Sequence, residues 1–176
     1  MKYLTVITLA LFTAISEKNC ERKDNSTTQY TLSGKVEQRS LYCGGARPTQ
    51  EMVNELTKPI PYPGKTFYLK KGTTNSIQEK VIESFTTDQQ GHFSIKLPAG
   101  TYSIILEEQL QEIDPKKYQT ERQKVDTQCL VDWWKKPYAI VEVHDQNIDS
   151  LQFLFTHRCF LKTDIPCITY DGPLPH

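Results

Sequence analysis

The chain has 176 residues, enough for one well-buried core and too few for two. Its 21 Lys and Arg balance 21 Asp and Glu, so it lacks the basic excess that neutralising a phosphate backbone requires, and nucleic acid is excluded as a partner. The pairs Lys70-Lys71 and Lys135-Lys136 read as solvated strand ends.

The chain opens with Lys2 and an apolar stretch from Tyr3 to Ile15, too short to span a bilayer in a mature protein. Residues 1–16 read as a secretory signal, with small residues at Ala14 and Ser16 and cleavage after Ser16. No second apolar run follows. The processed chain is therefore expected to be exported: periplasmic, at the cell surface or secreted, without a transmembrane segment. Residues 17–29 are polar and form an expected leader.

Five cysteines lie beyond the cut, in a compartment where disulfides persist. Cys20 is the odd one. Lipid attachment there would resolve the count, although Glu17, Lys18 and Asn19 stand where a lipobox takes apolar and small residues; a free or intermolecular thiol is the competing reading. Cys43, Cys129, Cys159 and Cys167 can form two bridges. The proximity of Cys159 and Cys167 favours their pairing, which leaves Cys43 for Cys129, but the spacing does not choose among three connectivities.

A first strand is predicted over Thr31–Glu37, with Leu32, Gly34 and Val36 on one face. An insertion from Leu41 to Gly64 follows. It carries a short helix near Pro48–Leu56, capped by proline or threonine, and then Pro59, Pro61 and Pro63. Lys65–Lys70 is the second strand, and Ile77–Thr86 leads to the most legible part of the chain.

There, Asp88-Gln89-Gln90-Gly91 supplies a carboxylate that bonds the backbone two residues on and a glycine that takes positive φ. Phe93, Ile95 and Leu97 then alternate with Ser94 and Lys96, the period of a strand with one buried face. Pro98-Ala99-Gly100 turns the chain into Tyr102, Ile104 and Leu106, which alternate with Thr101, Ser103 and Ile105. The three strands are expected to form an antiparallel meander.

From Glu108 to Pro137 a second, charged insertion contains a predicted helical stretch over Thr127–Trp134. Strand character resumes at Pro137–Val143 and again at Leu151, Phe153 and Phe155. Residues 157–176 form a tail held by its cysteines. Roughly seven short strands separated by turns define an all-β, antiparallel β-sandwich over residues 30–156, with two long insertions containing short helices.

The run T-D-x-x-G-x-F-x-I-x-L-P-x-G-x-Y at Thr87–Tyr102, with Ser33-Gly34-Lys35-Val36 and Pro63–Leu69, resembles the transthyretin-like or prealbumin-like sandwich. It is most similar to the regulatory-type domain found beside carboxypeptidases and in exported proteins of Bacteroidota. The segments Cys43–Pro48 and Pro166–Pro173 look like those of small exported proteins of that phylum. The resemblance implies a seven-stranded prealbumin-like fold and brings no catalytic residue.

Chemistry-bearing constellations are sparse. His92, His144, His157 and His176 are scattered, without metal-ligand spacing. Glu107 and Glu108, if on a strand, point to opposite faces and cannot act on one substrate. No nucleophile elbow occurs. Tyr62, Tyr68, Trp133, Trp134, Tyr138 and Tyr170 lie in or beside the insertions, where exposed aromatics stack on sugars or anchor protein partners. Tyr62, Trp133, Trp134 and Tyr138 are the candidate binding surface; the competing reading has Trp133 and Trp134 closing the insertion over one end of the sandwich. Broadly similar sandwiches in surface stalks carry Lys–Asn cross-links, but nothing marks out Lys35 and Asn147.

The function these features imply is a non-catalytic, cofactor-free binding or structural module at the bacterial envelope, contacting an envelope protein or carbohydrate. The alternative is a zinc or copper protein using Cys43, Cys129 and His157, and a third reading is a carbohydrate-processing accessory protein.

Overall fold

A computed structural model describes residues 28–173. The predicted signal, the lipidation candidate Cys20, all but the last two residues of the leader, and His176 lie outside the described residues. The described residues form ten strands and two α-helices: β1 (Gln29–Ser40), α1 (Gln50–Thr57), β2 (Ile60–Pro61), β3 (Thr66–Lys71), β4 (Glu83–Thr86), β5 (His92–Pro98), β6 (Gly100–Leu106), β7 (Gln123–Val125), α2 (Thr127–Lys135), β8 (Ala139–Val143), β9 (Ile148–His157) and β10 (Ile168–Tyr170).

The strands build an all-β sandwich. In one sheet β1 is central: β5 and β2 pair antiparallel with its two halves, at Gln29–Lys35 and Glu37–Gln38, and β9 runs parallel to it on the other side. The second sheet is antiparallel in the order β4-β3-β6-β8. Leu32 and Val36 of β1, Phe93 and Leu97 of β5, and Phe153 and Phe155 of β9 face Phe67, Leu69, Phe85, Tyr102, Ile104 and Val141 of the other layer. Phe67 lies 5.4 Å from Phe153 and Phe85 stacks on Phe93 at 4.3 Å, ring to ring across the interface. Truncating a ring so enclosed costs about 3–5 kcal/mol.

The expected meander does not form. Its strands and turns are where the alternation put them: Asp88 Oδ1 accepts from the N–H groups of Gln90 and His92 at 2.9 and 2.8 Å, and Gly91 takes a φ of 77°. However, β4 and β6 belong to one sheet and β5 to the other. Each turn is an arch between layers. Period two specifies which face is buried and says nothing about which strand is the neighbour, and the Phe85–Phe93 stack holds the arch closed from inside. The pairing of β9 with β1 is a further departure, a parallel contact in a sandwich otherwise antiparallel.

The outer face of the second sheet is also drier than alternation implies. Ser103, Ile105 and Lys70 are buried. Lys70 Nζ donates to Asn75 Oδ1 at 2.8 Å and to the Ser76 carbonyl at 2.7 Å, so the Asn75–Ser76 loop folds back against that face, and burial lowers the Lys70 pKa.

The four described cysteines form two disulfides, Cys43–Cys159 and Cys129–Cys167, which overturns the expected Cys159–Cys167 and Cys43–Cys129 pairing. The parallel ladder explains the first bridge. Ser40 pairs with His157 at the common end of β1 and β9, so Cys43 and Cys159 leave the sheet side by side. The second follows from the antiparallel β7–β10 pair, where Val125 lies opposite Ile168, next to Cys167 and just ahead of the helix bearing Cys129.

The tail is held by more than sulfur. Ile165, Cys167 and Ile168 are buried with Leu130 in a second apolar cluster. Arg158 donates to the carbonyls of Pro166 at 3.2 Å and Ile168 at 2.7 Å, and to that of Ile165. Desolvation lowers the Arg158 pKa, an effect that the nearby Asp164 opposes.

Candidate binding surface on the second insertion

Helix α2 starts where Asp126 caps it, Oδ1 accepting from the Cys129 N–H at 2.9 Å, and it ends before Pro137, which disfavours helical geometry in the residue preceding it. Its exposed carbonyl end is clamped by two buried amides. Gln109 Nε2 donates to the carbonyls of Trp133 at 3.0 Å and Lys136 at 2.8 Å, while its Oε1 accepts from the Leu106 N–H at 3.1 Å. Asn75 Nδ2 donates to the carbonyls of Gln109 and Trp134 at 2.8 and 2.9 Å, and the Asn75 N–H donates to Lys135 at 2.9 Å. Carbonyls that a helix end leaves without partners are thus satisfied from the sandwich. The position of the two tryptophans is thereby tied to the strand ends.

The candidate aromatics separate into two groups. Trp133 packs against both apolar clusters and joins them. Tyr138 stacks on Phe155 at 4.9 Å with nearly parallel planes, and Tyr62 meets the same ring edge-on at 5.4 Å. These three pack against the main core of the sandwich. Burial, with a contribution from the Asp164 carboxylate, pushes the Tyr138 hydroxyl up to about 12. Burial, Asp164 and Glu108 raise Tyr62. Tyr68 lies on β3, and Tyr170 packs on Phe160 at 4.8 Å, away from both groups.

Trp134 points elsewhere. Its Nε1 donates to the Gln111 carbonyl at 2.6 Å, and the indole lines a cavity of about 280 Å³ with Ile113, Pro115, Leu130 and Val131. Glu112 and Ile113 also border a neighbouring depression of about 530 Å³, lined by Glu107, Glu108, Asp114, Lys117 and Tyr118. Glu107 and Glu108 do not continue β6 but enter a 3₁₀ turn, Glu107–Gln109, which brings both into this one depression instead of to opposite faces. Glu108 Oε2 is buried and has no hydrogen-bond partner. Burial and Glu108 together raise the pKa of Tyr118.

The proposed metal ligands do not assemble. Cys43 and Cys129 are in separate disulfides, and His157 directs Nδ1 to Asp164 at 3.1 Å and Nε2 to Gln38 at 2.7 Å. Asp164 also pairs with Lys65 at 3.6 Å, a half-hidden network that fastens the tail to the sandwich. Among the described residues no group of three or more His, Cys, Asp or Glu side chains could hold a metal ion. Nor do Lys35 and Asn147 meet, since Lys35 pairs with Glu37 and Asn147 accepts from the Thr31 N–H. No helix among the described residues is long and apolar enough to cross a membrane.

Of this surface, Trp134 was visible in the sequence, while Gln109 and Asn75 carried no signal there. No protein-family model matches the chain, and no curated protein does. Solved structures similar to it are remote in sequence. A DUF3823 family protein from Parabacteroides merdae is 14% identical over 72% of this chain and 45% of that one, with a TM-score of 0.33. A double mutant of the shaft pilin SpaA from Lactobacillus rhamnosus GG is 9% identical over 75% and 52%, with a TM-score of 0.39. The Bacillus anthracis TIE protein is 12% identical over 74% of this chain and 17% of its own, with a TM-score of 0.34. The chain thus spans about half or less of each of these structures.

Proposed function

We propose that this chain is a non-catalytic binding module of the transthyretin-like class, exported to a bacterial envelope, whose contact surface is the second insertion around Trp134. The observation that carries the reading is the construction of α2. Two buried amides, a disulfide and a separate apolar cluster hold a nine-residue helix rigidly against the sandwich, while the apolar cavity beside Trp134 is left open. Rigid presentation of an indole and aliphatic side chains favours binding, because little ordering entropy remains to be lost. Two disulfides support an oxidising compartment.

The test compares the intact chain with Trp134→Ala and Val131→Ser, each verified as folded by its disulfide map, in capture of components from a solubilised envelope fraction. A component retained by the intact chain and lost by both variants supports the reading. Equal retention by all three contradicts it.

A further inference from the structure

The apolar cavity and the acidic depression are two ends of one trough, because Glu112 and Ile113 border both. The two ends differ in chemistry. One is walled by Trp134, Ile113, Pro115, Leu130 and Val131, with Val131 exposed and Lys135 also on its lining. The other presents the carboxylates of Glu107, Glu108, Glu112 and Asp114 against the single cation Lys117.

We propose that the trough binds a short peptide segment in which an apolar side chain lies close to a lysine or arginine. This rests on the binding-module reading and specifies its ligand. The apolar side chain fills the cavity beside Trp134, and the cation lies in the acidic depression, where its charge is complementary to the carboxylates. A sugar fits the walls less well. Stacking on the indole would leave hydroxyls facing the aliphatic side chains of Ile113, Leu130 and Val131, and desolvated hydroxyls without partners are costly.

The test uses the whole chain and a fluorescein-labelled acetyl-Ser-Leu-Lys-Arg-Ser-amide, followed by anisotropy. Saturable binding is expected, weakened roughly tenfold or more by Glu112→Gln combined with Asp114→Asn and by added salt, as for a charge-complementary site. Val131→Ser, at an exposed position, is expected to weaken it while leaving the salt dependence intact. A control peptide with Glu in place of Lys and Arg should not bind. Absence of saturable binding by natively disulfide-bonded protein, binding that ignores both sets of substitutions, or preference for a glucosamine hexamer over the peptide would each overturn the proposal. If the peptide fails while Trp134→Ala still abolishes envelope capture, only the ligand assignment falls; if both fail, the binding-module reading falls with it.

Discussion

Gly34 of β1 faces Leu151 of β9 so closely that a Cβ on the glycine would collide with the Leu151 carbonyl and side chain. The contact occurs where the parallel ladder shifts register between Leu32 and Gly34, and it sets how near the two strands can lie. Gly34→Ala is therefore expected to force the strands apart and destabilise the fold by about 1–3 kcal/mol, the usual range for overpacking. Urea unfolding monitored by circular dichroism measures it; an unchanged midpoint would show that the ladder tolerates the extra methyl.

The clamp on α2 makes a second prediction. Gln109→Leu preserves volume approximately but leaves the carbonyl of Lys136 and the N–H of Leu106 without their side-chain partner, while the Trp133 carbonyl keeps only the Lys136 N–H. At about 1–3 kcal/mol for each stranded group, partly relieved by water, a loss of about 3 kcal/mol is expected. Tryptophan emission should shift to the red as the helix end loosens. Unaltered emission and stability would mean that these carbonyls find other donors.

Much of the sandwich was legible in the sequence because burial on one face writes itself as alternation. The strands around Phe67, Phe93, Tyr102, Val141 and Phe153 appear where that pattern placed them, and both helices begin at short polar caps, Thr49 and Asp126. Layer assignment was not legible, since a four-residue turn can join neighbours or cross between sheets. The Cys43–Cys159 disulfide depends on a strand pairing more than a hundred residues apart and Cys129–Cys167 on the β7–β10 pair, which no local spacing reports. Buried amides such as Asn75 and Gln109 read like surface residues until their partners are known, and the carboxylate depression was hidden because Glu107 and Glu108 looked like a strand continuing.

Alkali supplies a third prediction. Tyr138 has its folded pKa raised from 10.0 to about 12, so the folded state favours its neutral form. The resulting stability is fully present below pH 10 and is lost as pH rises from 10 through about 12. Tyr62, Tyr102 and Tyr118 are shifted in the same direction, chiefly by burial. Absorbance at the phenolate band should show a late-titrating class, and Tyr138→Phe should remove part of it and flatten the stability profile in that window. A titration in which all tyrosines ionise together at their ordinary value would contradict the packing of Tyr138 against Phe155.

The two disulfides should differ in what they protect. Cys129 and Cys167 are 38 residues apart and Cys43 and Cys159 are 116 apart, so chain entropy alone assigns them about 4 and about 5 kcal/mol. Replacing Cys129 and Cys167 by serine should also disturb the small cluster around Leu130 and shift tryptophan emission. The Cys43 and Cys159 double replacement should lower stability while leaving that emission in place. Identical emission changes in the two double variants would show that the second cluster does not fold as its own unit.

The central claim is that β1 and β9 run side by side and deliver Cys43 to Cys159, while the tail returns to α2. Peptide mapping of the unreduced protein by mass spectrometry tests it directly, because tryptic cleavage at Lys162 separates Cys159 from Cys167. The account predicts cross-linked peptides joining Cys43 with Cys159 and Cys129 with Cys167. A fragment in which Cys159 is bonded to Cys167 would contradict it, since the tail would then close on itself and the shared end of β1 and β9 would have no covalent witness.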